Sequence, residues 1–415
     1  MFKSFNFKLF LKNKNRKYQI IIIWVTIFLD LMGVTLIIPF INEFVEQLGG
    51  DERHAGFLLA SYALMQFVFA PVLGKVSDKY GRRPILLLGM FGAFIAFLIF
   101  GFANQLWILF ASRMLAGIAN ANISVAQAYI ADITSREERA EKMGIIQAAF
   151  SLGFIIGFPI GGILAEQFSV ATPSLLAAFL SLINGFIAYW FLPESLIHKN
   201  RVKENLSLNP ISIAKHSLFN IIEYFGKPSF RPLMIIFLLY SFAFSILHVT
   251  FVEFDREYLE MNPQEIGFIF MYIGFVGFLV QIVAIKPLVK KYGEQKVMLF
   301  GFLLMAVGLI ITPLVDHMNW LFLTSLFVAG GNSLLAPTAT AIISKNGNES
   351  EQGITLGITQ SLGSLGRIFG PPYGGLTYHG IHMMFPFISS AIILIGSIIY
   401  YLLTNLLLKS KKKLT

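Results

Sequence analysis

Twelve apolar stretches, each long enough to cross a bilayer, constrain the fold of this 415-residue chain more than any other feature. A helix of about 20 residues spans roughly 30 Å of hydrocarbon. The stretches predict an all-α membrane protein, and we number them helices 1 to 12. They lie near 18–43, 55–74, 84–103, 106–131, 142–164, 173–192, 231–254, 265–286, 296–314, 319–343, 353–377 and 382–408.

The composition agrees with a membrane protein. Hydrophobic residues make up 56% of the chain and charged residues 13%, whereas soluble domains carry roughly 25% charged residues. The first stretch is too long for a signal-peptide core and lacks a small-residue cleavage site, so it predicts a spanning helix. Cysteine is absent, which excludes disulfides and thiolate chemistry.

The positive charges predict the orientation. With the N-terminus inside, nearly all of the 32 Lys and Arg residues fall in cytoplasmic segments, as the positive-inside rule requires. Arg53 and Arg256 then lie outside, and Arg113 and Arg367 lie at membrane depth. We therefore expect a multi-pass protein of the cell's inner membrane with both termini in the cytoplasm. The net charge of +9 reflects this topology and does not indicate a nucleic-acid partner.

An internal repeat predicts two homologous halves. The segment "QAAFSLGFIIGFPIGG" in helix 5 aligns without gaps with "QSLGSLGRIFGPPYGG" in helix 11, and "DKYGRRPILLLG" aligns more weakly with "KKYGEQKVMLFG". Two such halves are typical of secondary transporters. We expect an N-terminal six-helix half at 1–193, a cytoplasmic linker at 194–230 that partly lies on the membrane surface, and a C-terminal half at 231–415.

The loop after helix 2 reads "GKVSDKYGRRP" and predicts a gating device. Gly74 permits close helix contact, and Asp78 can meet the positive end of a helix or a nearby Arg. Gly81, Arg82 and Arg83 complete the set, in which a charge cluster could hold one conformation and release another. The alternative is that the basic residues only set the topology.

These residues carry a resemblance to a known family. The segment "APVLGKVSDKYGRRPILL" resembles the signature loop of the major facilitator superfamily. The segments "FLDLMGVTLIIPF", "RMLAGIANANISVAQAYIADIT" and "GFIIGFPIGG" resemble its drug:proton antiporter branch, in particular the tetracycline-exporter-like group. The resemblance implies the major-facilitator fold, with 12 transmembrane helices in two six-helix pseudo-symmetric halves.

The resemblance also gives a role to helix 5. In the family, its glycine-proline element is taken to favour exchange over leak, and here it would comprise Gly153, Gly157, Pro159, Gly161 and Gly162. The proline stands two residues after Gly157, where the family usually has it immediately after. Simple close packing of small residues is the alternative.

The chain departs from tetracycline exporters at three positions. Those proteins carry acids within helices 3 and 9 and a histidine in helix 8. This chain has Ala96, Met305 and Phe278 there. The polar set associated with a magnesium–drug chelate is therefore missing, and we do not expect tetracycline itself as the substrate.

Charged side chains at membrane depth are costly and so are candidate functional residues. Asp30 in helix 1 and Arg113 in helix 4 both lie roughly 12 Å below the outer edge, counted at 1.5 Å per residue. We therefore predict that they are coupled, directly or through water, with Asp30 as proton carrier. The family's use of a helix-4 arginine in proton coupling favours this interpretation. A static pair that fixes helix packing is the alternative.

Further polar residues would line a substrate cavity, since helices 1, 4, 7 and 10 border the cavity in the family fold. Arg367 in helix 11 would bind an anionic substrate group or make a structural contact, and His248 could titrate near neutral pH or simply pack. For the uncharged residues, hydrogen bonding between helices is the alternative. The remaining candidates are Asn120, Asn122, Gln127, Tyr240 and Asn332.

These observations predict a proton-coupled secondary transporter that exports small, largely apolar compounds by alternating access. One alternative is a transporter of a specific endogenous and perhaps anionic metabolite, and a remote one is a transporter-like sensor. The phosphate-binding pattern GxxxxGK[ST] does not occur, so an ATP-driven pump is not expected. We expect no enzyme activity, no cofactor and no metal. The expected partners are a small-molecule substrate, protons and membrane lipid, and the chain is expected to be monomeric.

Overall fold

The computed structural model describes residues 16–134, 136–196, 219, 221–228, 230–346 and 352–414. In this part of the chain all regular elements are helical. They follow the predicted apolar stretches, so we label them α1 to α12. The bounds are α1, Arg16–Thr35 continued through the turn Ile38–Phe40 into Ile41–Gln47; α2, Glu52–Tyr80; α3, Arg82–Gly101; α4, Leu106–Asn120 and Ile123–Ile133; α5, Arg136–Gln167; α6, Thr172–Phe191; α7, Arg231–Glu257; α8, Pro263–Leu279 continued through Val280–Ala284 into Ile285–Tyr292; α9, Glu294–Ile311; α10, Met318–Lys345; α11, Gln352–Gly380; and α12, Phe385–Leu414.

Ten helices in the described part of the chain are long and apolar enough to cross a membrane. The two others among α1 to α12 are α5 and α11, with 32 and 29 residues. Both carry the glycine-rich repeat, and in α5 the described apolar part is Leu152–Gln167. The predicted count of twelve spans is consistent with this result, and the crossing of α5 and α11 stays a prediction.

The helices pack as two groups of six. In the first group α1 packs against α5 and α6, α2 against α4, and α3 against α4 and α6. In the second group α7 packs against α11 and α12, and α9 against α10 and α12. The main contacts between the groups are α5 with α8 and α2 with α11. This is the predicted arrangement of two pseudo-symmetric halves.

Equivalent glycines end α2 and α8. Gly81 has a φ of +108° and Gly293 has a φ of +82°, a region that side chains rarely adopt. Each glycine separates a helix that ends in Tyr from the helix that follows, α3 or α9. The weaker sequence repeat therefore corresponds to a repeated turn at the same end of the bundle.

The stronger repeat is a repeat of close helix packing within each half. In α5, a Cβ at Gly153 would lie 3.2 Å from Leu31 Cβ, and one at Gly161 would collide with the Leu36 carbonyl of α1. In α11, a Cβ at Gly366 would lie 2.5 Å from the Ser241 carbonyl carbon of α7. Gly157, Gly370 and Gly374 are equally crowded, against α1 and α7. Glycine therefore lets α5 lie on α1 and α11 lie on α7.

The last glycine of each repeat joins the two halves instead. A Cβ at Gly162 would collide with the Pro263 carbonyl at the start of α8, and one at Gly375 would collide with the Glu52 carbonyl at the start of α2. Pro159 lies at the same seam, where Gly267 of α8 would place a Cβ 3.2 Å from its Cα. Thus α5 and α11 each contact one helix of their own half and one of the other half.

These contacts lie at one end of the bundle. By the predicted orientation we call it the outer end, and the end with Gly81 and Gly293 the inner end. At the inner end a Cβ at Gly74 of α2 or at Gly357 of α11 would meet no atom within 4 Å. The sequence predicted close helix contact at Gly74, and the described residues do not show it in this conformation.

The predicted linker at 194–230 lies largely outside the described residues, which omit 197–218, 220 and 229. The boundaries of the two halves therefore stay predictions.

The glycine seam gives the first testable prediction. Gly161→Val places a side chain against the Leu36 carbonyl, and we expect it to destabilise the protein by about 3 kcal/mol or to prevent folding. The measurement is thermal unfolding and size-exclusion profile in detergent.

Gly396→Ala is the matched control, because Gly396 of α12 is exposed and has nothing within 4 Å of the added atom. We expect it to unfold within about 0.5 kcal/mol of the wild type. Equal stability of Gly161→Val and Gly396→Ala would contradict the assigned role of the seam.

Candidate functional site

Asp30 lies in the interior of the first half. Its side chain is 6% exposed, its Oδ1 is fully buried, and no described residue donates a hydrogen bond or forms an ion pair with it. Gly33, one turn further along α1, lies against Phe97 of α3 and Ala177 of α6. Because residues three apart share a helix face, Asp30 faces α3 and α6.

The facing part of α6 is polar, which the sequence analysis missed. Thr26 Oγ1 donates a 3.2 Å hydrogen bond to Asn184 Oδ1. The contact between Gly33 and Ala177 lies further along α1 but earlier along α6, so the two helices are antiparallel. This register places Ser181 opposite Asp30. Ser181 Oγ and Asn184 Nδ2 are buried and have no partner among the described residues. In the sequence, these residues could have been recognised as a serine and an asparagine three residues apart in an apolar helix.

Arg113 is also buried, at 3% exposure, and its environment is aromatic. Its guanidinium carbon lies 4.3 Å from the ring centroid of Phe100 and 5.5 Å from that of Phe97. Such cation–π contacts partly replace lost hydration. The Nε and Nη2 atoms have no hydrogen-bond partner among the described residues. Arg113 therefore retains unused hydrogen-bond donors at membrane depth.

Asp30 and Arg113 make no direct ion pair in the part of the chain that the structure describes. The ring of Phe97 contacts both the Gly33 face of α1 and Arg113, so the two charged side chains lie at similar depth on either side of it. Coupling between the two residues stays a prediction.

Tyr62 of α2 lies between Arg113 and Arg367. Its backbone carbonyl contacts Gly117 of α4, one turn from Arg113. Its hydroxyl is within electrostatic range of Asp30, Arg113 and Arg367, and it faces Asn120. Nothing in the sequence distinguishes Tyr62 from the other tyrosines among the 14 in the chain. Tyr62 is the described residue that connects the charged groups of the two halves.

The candidate cavity residues of the second half form one aromatic and polar row. Tyr240 donates a hydrogen bond to Asn332 Oδ1, and its ring is followed along α7 by Phe244 and then His248, at centroid distances of 6.2 and 5.5 Å. Arg367 Nη2 donates a 3.1 Å hydrogen bond to Ser364 Oγ of its own helix. Arg367, His248 and Asn332 are only half-buried although they are central in their helices, so this row borders open space.

The three candidates in α4 differ in their surroundings. Asn120 is buried, its backbone oxygen accepts a bond from Gln66, and its Nδ2 has no described partner. Asn122 lies in the break between the two parts of α4 and donates to the Leu86 carbonyl of α3 at 2.9 Å, which favours the alternative of helix packing. Gln127 is half-buried toward the inner end.

The predicted gating loop forms a compact ionic cluster. Arg82 contacts Asp78 Oδ1 at 2.6 Å and Asp132 Oδ2 at 3.1 Å, and the backbone N–H of Arg82 donates to Glu194 at 2.8 Å. Arg83 donates to the Tyr189 carbonyl of α6. The sequence predicted the pairing of Arg82 with Asp78, but Asp132 and Glu194 were missed. The loop thus ties together the inner ends of α2, α3, α4 and α6.

A second polar cluster closes the outer end, and the sequence analysis did not predict it. Asn42 of α1 donates to Glu253 of α7, which is 1% exposed. Arg256 of α7 forms ion pairs with both Glu253 and Glu46 of α1. These contacts join the two halves directly. In the sequence, α1 ends in acidic residues and α7 ends near the basic Arg256. Nothing in the sequence shows that these two helix ends lie together.

Three residues at this end could hold a metal ion by distance alone. Ligand atoms of Glu253, Glu257 and His379 lie within 4.8 Å of one another. Both oxygens of Glu253 already accept hydrogen bonds, from Asn42 and Arg256. A cation there would also face the Arg256 guanidinium, so we assign the cluster to closure of the outer end.

The closing cluster gives a second prediction. Arg256→Gln removes the link between α7 and α1, and we expect the outer end to open about tenfold more often. Glu46→Gln removes only the more exposed pair, worth up to about 1 kcal/mol, so its effect should be smaller.

The chain has no native cysteine, so one reporter cysteine measures the opening. Val249→Cys is suitable because Val249 is fully buried against Asn42, and a membrane-impermeant maleimide added outside would label it only after opening. Lys345→Gln is the control, since Lys345 pairs with Glu294 within one half. Unchanged labelling in Arg256→Gln would rule out the closing role.

The family was tested by comparison with known proteins. The family model described as Major Facilitator Superfamily matches residues 23–284 and 233–414. The tetracycline resistance protein, class C, of Escherichia coli is 31% identical over 85% of this chain and 87% of its own length. The multidrug resistance protein 2 of Bacillus subtilis (strain 168) is 29% identical over 92% of this chain and 94% of its own length.

Solved structures show the same fold. The human organic anion transporter MFSD10 (TETRAN) has a TM-score of 0.73 at 21% identity and covers 94% of this chain and 100% of its own. A peptide transporter POT in complex with sulfate has a TM-score of 0.76 at 12% identity, with 94% of each chain covered. The resemblance to the drug:proton antiporter group is confirmed by the relatives above. This multi-pass membrane protein belongs to the Major Facilitator Superfamily.

Proposed function

We propose that the chain is a proton-driven exporter of small, largely apolar compounds in the inner membrane, with both termini in the cytoplasm. The observation that carries the proposal is Asp30, a buried carboxylate without a described partner in a chain with few charges at membrane depth. An ionised carboxylate in such a place costs so much free energy that the neutral, protonated form is favoured. A residue that must change its protonation when its surroundings change is suited to carry a proton.

The two ends of the bundle support alternating access. The outer end is closed by Arg256 and by the glycine seams, whereas an added Cβ at Gly74 or Gly357 at the inner end would meet no described atom within 4 Å. In the opposite state the outer cluster separates, and Asp30 exchanges its proton with the outside. Return to the inward-open state then releases the proton to the cytoplasm, where substrate binds. The proton gradient thereby drives export.

Arg113 controls the proton in this cycle. When the guanidinium approaches Asp30, its positive charge stabilises the carboxylate and promotes proton release. Phe97 separates the two in this conformation, which corresponds to the inward-open state before proton release, and the proton leaves once the guanidinium reaches the carboxylate. A shift of α4 relative to α3 is sufficient to change between these arrangements.

The inner loop and α5 provide the gating in this proposal. The Arg82 cluster keeps the inner ends of the first half together while the halves separate. When the inner end closes, Gly74 offers the close contact with α11 that it lacks here. The α5 glycines hold α1 and α8 against one helix, so movement at the seam is transmitted to the helix that bears Asp30.

The relatives support drug efflux at the level of the family. Their names include both tetracycline resistance and multidrug resistance proteins. Ala96, Met305 and Phe278 stand where tetracycline exporters carry polar residues, so we propose compounds other than tetracycline. The aromatic row beside Arg367 suits flat, apolar molecules.

A transporter dedicated to one endogenous metabolite is the second candidate. The two arginines without described acidic partners, Arg113 and Arg367, favour it, because a single anionic compound could use both. The number of chemically unrelated compounds that are exported separates the candidates. An exporter of apolar drugs accepts several, whereas a dedicated transporter accepts one and its close analogues.

Asp30→Asn tests the proton carrier. Asparagine has nearly the same shape and cannot release a proton, so we expect binding of N-phenyl-1-naphthylamine to change less than about threefold. Uptake of this compound into inside-out vesicles with an acidic lumen should fall at least tenfold. Asp316→Asn is the control, because Asp316 is exposed in the turn between α9 and α10, and it should pump like the wild type. Gradient-driven uptake by Asp30→Asn at the wild-type rate would refute the assignment.

Arg113 gives a separate prediction. Arg113→Lys keeps a positive charge and should retain part of the gradient-driven uptake. Arg113→Gln removes the charge, so proton release from Asp30 should become limiting and uptake should recover as the bath becomes more alkaline. The readout is the uptake rate against bath pH at a constant pH difference. Identical pH profiles for the two variants would contradict a role in proton release.

A further inference from the structure

We propose that Arg367 is the binding site for an anionic group of the substrate, so that the preferred cargo is an aromatic compound bearing a carboxylate or sulfonate. This inference rests on the proposed transport function and names the substrate class of its cavity. Its first basis is the position of Arg367 in α11, beside Ser364 and on the helix that joins the two halves.

The packing of α11 against α2 determines what Arg367 faces. Gly56 of α2 lies against Pro371, and Glu52 lies against Gly375. The two helices are therefore antiparallel, and the same register continued inward brings Tyr62 opposite the turn that contains Arg367. Arg367 is thus located at the boundary of the two halves, where alternating access requires the substrate to bind.

No acidic side chain in the described chain neutralises Arg367. Among the described residues it donates a hydrogen bond to Ser364 Oγ, a neutral acceptor. The closest acidic residue along the α2–α11 seam is Glu52, whose backbone packs on Gly375, eight residues or about 12 Å from Arg367 along the helix. Asp30 faces α3 and α6 instead. A guanidinium at this depth without an anion is costly, and Arg367 is partly buried.

The surroundings of Arg367 explain why an aromatic anion fits. Phe237 lies next to Gly363, one turn from Arg367. Its ring is 5.8 Å from that of Tyr240, which continues to Phe244. These rings offer faces and edges to a flat molecule, while the planar guanidinium offers paired N–H donors that match a carboxylate. The Tyr240 hydroxyl is held by Asn332, so its ring orientation is fixed in advance.

The site also fits the energetics of export. Movement of an anion out of a cell with a negative interior is favoured by the membrane potential, and proton entry is favoured by the same potential. The proton site at Asp30 and the anion site at Arg367 lie in different halves. Exchange of a proton for an organic anion therefore uses the potential twice in each cycle.

Binding of three matched probes tests the proposal without any gradient. The full chain in nanodiscs is titrated calorimetrically with 2-naphthoate, 2-naphthamide and 2-naphthylmethylamine at fixed ionic strength. We expect 2-naphthoate to bind at least tenfold more tightly than the amide, which corresponds to about 1.4 kcal/mol, and the cation to bind more weakly than the amide. Equal affinity of the wild type for naphthoate and naphthamide would overturn the proposal.

Variants identify the residue that produces the preference. Arg367→Gln should lose the tenfold preference and bind naphthamide as before, whereas Arg367→Lys should keep part of it. Arg231→Gln removes an exposed arginine at the inner end of α7 and should keep all of it. A full preference for naphthoate in Arg367→Gln would also overturn the proposal. If Arg367→Gln does not fold, Arg367→Lys is compared with the wild type. The proposal requires Arg367→Lys to bind naphthamide with unchanged affinity and naphthoate with reduced affinity.

Replacement of chloride by gluconate distinguishes an inorganic anion from an organic one. If chloride is the natural occupant, 2-naphthoate should bind more tightly in gluconate, by the factor expected when chloride no longer competes. In that case 2-naphthoate should bind no more tightly than acetate. For an organic-anion site, 2-naphthoate should bind at least tenfold more tightly than acetate in both salts. Because binding is measured without a pH difference, the preference for naphthoate over naphthamide can be measured whether or not uptake is driven by protons, so the two proposals fail separately.

Discussion

The close approach of α5 and α11 to their neighbours is the constraint on which the rest of the structure depends. Each helix presents glycines on one face to a helix of its own half and a glycine on another face to a helix of the other half. In a bilayer no hydrophobic driving force favours one helix arrangement, so backbone contact through small residues supplies the packing energy. The two seams therefore define where the halves touch. They also determine that α1 and α7, which carry Asp30 and the aromatic row, move with the seam helices.

Contact at the outer end and separation at the inner end follow from that constraint together with charge. The seams narrow toward Gly162 and Gly375, where Arg256 and its carboxylates add ionic links between the halves. At the inner end the ionic cluster around Arg82 lies within the first half among the described residues and does not bridge to the second. The Arg256 cluster thus holds the two halves together, while the Arg82 cluster keeps the first half rigid. This division of roles is what a structure that pivots about its middle requires.

The sequence predicted the elements and the repeat well, because both depend on patterns along the chain. Span length and the paired glycines are local features, and the structure confirms the fold that they imply, whereas the orientation implied by the positive-inside distribution stays a prediction. The contacts of individual side chains depend on helix rotation, which the sequence does not determine. Asp30 and Arg113 were predicted at similar depth, but the intervention of Phe97 could not be foreseen. Asp132, Glu194 and Arg256 were missed because each meets its partner through an approach of distant helix ends.

The placement of the candidate proton and anion sites in different halves has a consequence for coupling. When a proton and a substrate compete for one carboxylate, they cannot bind it at the same time, and this mutual exclusion produces exchange. Asp30 faces α3 and α6, away from the aromatic row of α7, so direct exclusion does not operate between the two sites. If the proposed sites are coupled, the coupling must pass through a group near both, and Tyr62 is a candidate because it contacts α4 near Arg113 and lies in α2, which packs against α11. An anion that neutralises Arg367 would remove a positive charge from the neighbourhood of Tyr62 and Arg113 and so change the field at Asp30. In this arrangement the substrate alters proton affinity through electrostatics across the boundary between the halves, and the strength of coupling depends on the anionic charge of the cargo.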